Sequence, residues 1–168
     1  MLRFTEVIAN GGERASSVTG VLTLVFTDRR RSRMRVNLDD GREAALLLPR
    51  GTILREGDRL RDAAQGEVVT VRAADQTLSL VRASDAITLA RAAYHLGNRH
   101  IPVQVGAGWL AYEHDHVLDG MVQDLGLVVE TCSAPFEPEA GGYRHGESDH
   151  GHRHEHHHEH HHEHEHEH

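Results

Sequence analysis

The sequence predicts an α+β protein: a small all-β domain over residues 1–73, a ferredoxin-like β-α-β-β-α-β domain over 74–137, and a linker with a disordered histidine-rich tail over 138–168. Three observations carry this. Before residue 74 the apolar residues come in short strand-like runs, separated by turns rich in glycine and aspartate. Between residues 76 and 131 the hydrophobic period changes from that of a strand to that of a helix and back, twice. After Pro135 the periodicity stops, and 12 of the chain's 17 histidines lie at or beyond His150.

In chain order, Val21 to Phe26 (VLTLVF) is a short run of strand formers. Met34 to Leu38 (MRVNL) alternates, placing Met34, Val36 and Leu38 on one face. Asp39-Asp40-Gly41 supplies a turn, and Glu43 to Leu48 returns as the partner strand. Further turns follow at Pro49-Arg50-Gly51 and Glu56-Gly57-Asp58, and Gly66 to Val71 is another strand. Short strands at this spacing imply a barrel or sandwich. Gln76 to Arg82 alternates as a half-buried strand does. Ser84 or Asp85 can then cap a helix. Its apolar positions Ile87, Ala90, Tyr94 and Gly97, with Leu89, Ala93 and Leu96, form one broad inward face. Gly97-Asn98 is the expected stop, since both residues tolerate the left-handed conformation. Pro102 keeps Ile101 out of the helical range. Pro102 to Val105 and Trp109 to Tyr112 read as strands joined across Gly106-Ala107-Gly108. Asp115 caps a second helix, with Val117, Leu118, Met121, Val122 and Leu125 inward, and Gly126 ends it. Leu127 to Thr131 closes the domain as a strand. Pro138 to Gly142 reads as an exit linker, and the polar tail beyond it cannot bury a core.

At 168 residues the chain suits one ordinary domain or two small ones, and cores this thin gain from a partner subunit. The single cysteine, Cys132, excludes an intrachain disulfide and reads as a packed, inert thiol in a reducing compartment. No secretory signal opens the sequence, and no window approaches the roughly 20 apolar residues of a membrane span. A soluble, cytoplasmic protein without membrane contact is expected. The net charge of −8 sits mostly in the tail, where the acids from Glu147 to Glu167 are opposed by Arg153 alone. The body is near neutral, and arginine is its one strong base, so neither part suggests nucleic-acid binding. The cluster Arg29-Arg30-Arg31-Ser32-Arg33 reads as a solvated hairpin loop, or as a dock for an acidic protein surface.

The tail carries the densest chemistry. Neutral imidazole is a good ligand for Ni(II), Cu(II) and Zn(II). His145, His150, His152, His154, His156, His157, His158, His160, His161, His162, His164, His166 and His168 lie on backbone that can wrap several ions. The entropy lost on ordering makes each such site weaker than a preformed one. A purification tag is the mundane alternative, but tags are usually one unbroken run of about six, and these histidines begin inside ordinary sequence. A solvated tail without ligand is the other reading, for which histidine is an odd choice. In the body, His114 and His116 form H-D-H. On an extended strand they share a side, whereas around an Asp115 cap they flank the first helical turn. The pattern is a moderate metal signal, weighed against two ordinary surface histidines. By spacing alone His100 is more often structural than a ligand, and His95 is a partly buried or surface side chain.

Tyr94 to Pro102 (YHLGNRHIP), Glu113 to Asp119 (EHDHVLD), Pro135 to Gly142 (PFEPEAGG) and the His-rich tail together resemble the UreE-type urease accessory proteins, the nickel metallochaperones of urease maturation. Asp39-Asp40-Gly41 and Leu48-Pro49-Arg50-Gly51 match as well, so the resemblance covers nearly the whole chain. It implies a homodimer of two-domain subunits, with an N-terminal β domain for partner proteins and a C-terminal domain holding metal at the dimer twofold. The histidine of GNRH, here His100, is the implied main ligand from each subunit, with His114 and His116 as secondary ligands. That reverses the reading of His100 from spacing. The implied cargo is Ni(II), with Cu(II) or Zn(II) also able to bind. The implied partners are the urease accessory GTPase and the urease apoprotein complex.

The physics of such a site can be stated separately. One loop histidine cannot hold an ion, but two related by a twofold supply two ligands from one sequence position. An unfinished coordination sphere, completed by the tail, by His114 and His116 or by water, suits a protein that must release its metal. A cytoplasmic nickel or zinc store acting through the tail is the competing function. A metalloenzyme using His100, His114, His116 and Asp115 is the third, and it lacks a motif such as HExxH, so a non-enzyme is expected.

Overall fold

The computed structural model describes residues 1–8 and 17–140. Its N-terminal half contains β1 (Leu2–Phe4), β2 (Glu6–Ile8), β3 (Gly20–Leu24), the single turn of helix α1 (Phe26–Arg29), β4 (Arg33–Asn37), β5 (Glu43–Leu47), β6 (Arg59–Arg61) and β7 (Val68–Ala73). These strands form two sheets, ordered β1-β5-β4 and β2-β6-β7-β3. Only Thr5 separates β1 from β2, so the chain changes sheet within one residue. Alternation along the strands sends Phe4, Leu22, Leu46, Leu60, Val69 and Val71 into one shared core with Leu54, all fully buried. Each such side chain contributes about 1.5–3 kcal/mol by leaving water. The expected β domain is thus a two-sheet sandwich.

The second half contains β8 (Asp75–Arg82), α2 (Ala86–Gly97), β9 (Val103–Gly106), β10 (Trp109–Glu113), α3 (His116–Asp124) and β11 (Val129–Pro135). The strands pair antiparallel in the order β11-β8-β10-β9, the ferredoxin-like arrangement expected from the sequence. Leu96 and Ala92 of α2 and Val122 of α3 pack against Val81, Leu110 and Tyr112 of the sheet. At the β9–β10 hairpin the Trp109 indole lies over Gly106, where a Cβ would sit only 2.1 Å from the ring. No side chain other than hydrogen fits there.

Four expectations change. The strand expected at Val21 to Phe26 stops at Leu24, and Phe26 starts α1 instead. Phe26 has tertiary partners that a strand would deny it: its N–H donates to Gln76 Oε1 (3.0 Å) and its ring meets Phe136 edge-on at 5.4 Å. The closing strand runs from Val129 to Pro135 rather than from Leu127 to Thr131, because β8 offers it partners from Val81 to Asp75. On α2, Ile87, Ala90, Tyr94 and Gly97 face solvent, and so does Val117 on α3. A four-stranded sheet covers only the Leu89, Ala92, Ala93 and Leu96 side of α2, which is narrower than the apolar stripe.

The fourth change concerns Arg29, expected in a solvated loop. It is completely buried. Its guanidinium donates to Leu54 O (3.2 Å), to Phe136 O and to the Glu137 carboxylate, with which it forms an ion pair. Glu137 also pairs with Arg55 (3.3 Å) and accepts from the Glu56 N–H (3.2 Å), while Arg55 donates to Pro138 O (2.8 Å). Phe136 fills the junction among Phe26, Leu78 and Ala111. The end of the expected 74–137 domain, with Pro138 as the first residue of the expected linker, is therefore a clasp between the two halves, with Phe136 and Pro138 buried.

Removing one partner of a buried ion pair strands the other charge. Glu137→Ala is expected to destabilise the protein by about 3 kcal/mol, measured by urea unfolding. Adding Arg29→Met in the same chain should return part of that loss, since no buried charge then lacks its partner. Equal stability of Glu137→Ala and the parent would show that the clasp contributes nothing.

Candidate metal centre

His100 owes its position to the way α2 ends. At the N-terminus Asp85 accepts from the backbone N–H groups of Ile87 (3.1 Å) and Thr88 (3.0 Å). The Thr88 hydroxyl also donates to Asp85, and these bonds hold its carboxyl below the ordinary value. At the C-terminus the His100 N–H donates to Gly97 O (2.9 Å) and the Ile101 N–H to Leu96 O (3.1 Å). This nested pair is a Schellman ending, and Ile101 packs back onto the Leu96 cluster as that ending favours. The motif requires one left-handed residue. That residue is His100, at φ 57°, while Asn98 stays right-handed at φ −62°. Glycine is usual there, and an L-residue in this conformation costs roughly 1–2 kcal/mol. The result is an exposed imidazole on a backbone pinned by two hydrogen bonds and a core side chain.

His114 and His116 flank the start of α3. The Asp115 carboxylate accepts from Val117 N–H (2.8 Å) and Leu118 N–H (3.2 Å), and those bonds lower its pKa. The helical-cap alternative therefore holds, and the two histidines do not share one side of a strand. His116 is the exposed first residue of α3 and lines a shallow groove with His95 and Asp124. His114 is anchored: its N–H donates to Thr77 O (3.1 Å) and its Nδ1 lies 3.0 Å from Ser79 Oγ and 3.2 Å from Asp119 Oδ2. Asp119 Oδ1 in turn accepts from the buried Tyr112 hydroxyl (2.7 Å). Burial, and then the bond to Asp119, push the Tyr112 hydroxyl above its ordinary pKa.

Models of the two domains of the UreE urease accessory protein match this chain, the N-terminal domain over residues 4–74 and the C-terminal domain over residues 76–168. The chain belongs to the UreE family. It is 57% identical over 132 residues to a urease accessory protein UreE of Pseudomonas putida, covering 79% of this chain and 82% of that protein. With the protein of the same name from a second Pseudomonas putida strain it shares 51% identity over 152 residues, 90% of each chain. The Alkalilimnicola ehrlichii protein of that name is 52% identical over 143 residues, 85% of each.

Within the described part of this UreE fold, His100, His114 and His116 do not come together as one group of three ligands. Among the described residues no group of three or more His, Cys, Asp and Glu side chains is placed to hold an ion. His100 opens onto a depression lined by Phe26, Arg30, Ile101, Val103 and Glu139. The Glu139 N–H donates to Val103 O (2.9 Å), so the chain reaches Ala140 at the rim of that depression. The tail histidines, His145, His150, His152, His154, His156, His157, His158, His160, His161, His162, His164, His166 and His168, lie outside the described residues. The sequence reading missed Ser79 and Asp119, which hold His114. Asp119 closes the EHDHVLD match, but its spacing gave it no role; Ser79 left no trace.

If His100 pays conformational strain for its position, replacing it should relax the helix end. His100→Gly is expected to be more stable than His100→Ala by about 1 kcal/mol, read from paired thermal or urea unfolding curves. A His100→Gly protein less stable than His100→Ala would show that the left-handed turn carries no strain.

Proposed function

We propose that this protein binds Ni(II) as a homodimer in the cytoplasm and delivers it to the urease maturation complex, handing it on with the urease accessory GTPase to the urease apoprotein. The observation that carries the reading is His100: an exposed imidazole in a strained, firmly held conformation, which among the described residues has too few neighbouring ligands to bind metal alone. Residues held in such conformations cluster at functional sites, which supports the reading. Beside it, α2 leaves Ile87 and Tyr94 each 65% exposed, and β9 leaves Val105 52% exposed. A second copy on that apolar face would bury it and bring a second His100 to the twofold.

His114 and His116 supply further imidazoles, and Glu139, next to the last described residue Ala140, lines the His100 depression. A multivalent tail of individually weak sites raises the local metal concentration around one selective site. Copper and zinc fit the same imidazole chemistry, and copper exceeds nickel in intrinsic affinity, so selection for nickel depends on geometry and supply. The N-terminal sandwich is the surface assigned to partner proteins. No catalytic role is assigned.

The abundance of histidine in the tail favours one other reading, a cytoplasmic nickel or zinc store. The two differ in what each deletion removes. For delivery, His100→Ala loses the tight nickel site and urease activation, while truncation after Gly142 lowers only the number of ions held. Normal activation by His100→Ala, with activation abolished by truncation, would establish storage instead. Imidazole must lose its proton to ligate, so nickel loading by equilibrium dialysis should fall as pH drops below about 6.5. Equal loading at low and neutral pH would contradict imidazole ligation.

A further inference from the structure

We infer that Asp119 is the positioning residue of His114: it holds the ring with its proton on Nδ1, so that Nε2 is the nitrogen left free to take a metal. The inference rests on the reading of His114 as a ligand. An ionised carboxylate only accepts hydrogen bonds. Asp119 Oδ1 already accepts from Tyr112 (2.7 Å), and Oδ2 lies 3.2 Å from His114 Nδ1. That nitrogen must therefore carry the N–H. The fully buried Ser79 offers a second acceptor on the same side at 3.0 Å. A neutral imidazole has one N–H, so the lone pair falls to Nε2, across the ring from these buried partners. The His114 side chain is 39% exposed, which opens that edge to an incoming ion.

Asp119 is itself fixed by the first turn of α3. Its N–H donates to Asp115 O (2.9 Å), so the cap that separates His114 from His116 also sets the carboxylate beneath His114. Carboxylate support of a ligating imidazole fixes both tautomer and ring orientation, and its loss typically lowers metal affinity 10–100-fold. Ser79 on β8, Tyr112 on β10 and Asp119 on α3 come from three elements, so the arrangement exists only after the domain has folded.

The test uses the full chain with isotope-labelled histidine nitrogens, followed by NMR before and during addition of nickel ion. In the metal-free parent, His114 should carry its proton on Nδ1. In Asp119→Asn, Tyr112 keeps the amide oxygen and turns the NH2 toward Nδ1, which must then accept. The proton moves to Nε2, and nickel effects at the His114 resonance should require about 10–100-fold more metal. Tyr112→Phe added to that variant frees the amide to rotate, and should restore the Nδ1 proton and most of the affinity. A metal-free parent with the proton on Nε2 would overturn the inference, as would Asp119→Asn with parental tautomer and affinity. Absence of any nickel effect at His114 in the parent would refute the ligand reading, while the metal-free tautomers still decide whether Asp119 positions the ring.

Discussion

The arrangement of this molecule turns on one buried guanidinium. Arg29 is inaccessible to water and cannot lose its charge, so it must find acceptors inside the protein. Leu54 O comes from its own half of the chain, and Phe136 O and the Glu137 carboxylate come from the other. Its Nε has no partner among the described residues, which raises the cost of losing any of the rest. The two halves cannot separate without leaving this charge unpaired. Arg55, the Glu56 N–H and the Phe26–Phe136 ring contact bind the same short segment.

The clasp also routes the chain. After β11, Phe136 passes into the junction, the Glu137 N–H donates to Gln104 Oε1 (3.0 Å), and Glu139 bonds to Val103 on the edge strand β9. A segment that leaves one edge of the sheet thereby arrives at the opposite edge, beside His100. The interaction that joins the halves thus sets the course of the chain through Glu139 to Ala140. The same depression is lined by Phe26 and Arg30 from the N-terminal half, so the setting of His100 belongs to both domains.

Much of the fold was legible from local physics. Two-residue and helical periodicities located β8, α2, β10 and α3; Asp115 marked the start of α3, and of the two candidates Ser84 and Asp85 the structure uses Asp85 to start α2. The histidine of GNRH was noticed through resemblance rather than spacing, and no pattern marked it as the left-handed residue of a Schellman ending. That turn was sought at Gly97 or Asn98, by conformational preference. The outward stripe of Ile87, Ala90, Tyr94 and Gly97 was read as core because periodicity reports apolar residues without saying what covers them. Arg29 was read as solvated for the converse reason: an arginine-rich stretch is usually exposed, and its carboxylate stands more than a hundred residues away.

The sequence by itself determined the class of each domain, the starts of both longer helices, the hairpins and the supply of imidazole ligands, because each depends on residues within a few positions of one another. Tertiary structure alone decided which face of α2 stays uncovered, which cation is buried, which nitrogen of His114 faces outward and where the chain emerges beside His100. Those outcomes depend on pairs such as Arg29 with Glu137 and Ser79 with His114, distant in sequence and joined only when the sheets close. Most hydrogen-bonding needs of buried polar groups are met by residues distant in sequence, and no local pattern records who meets them.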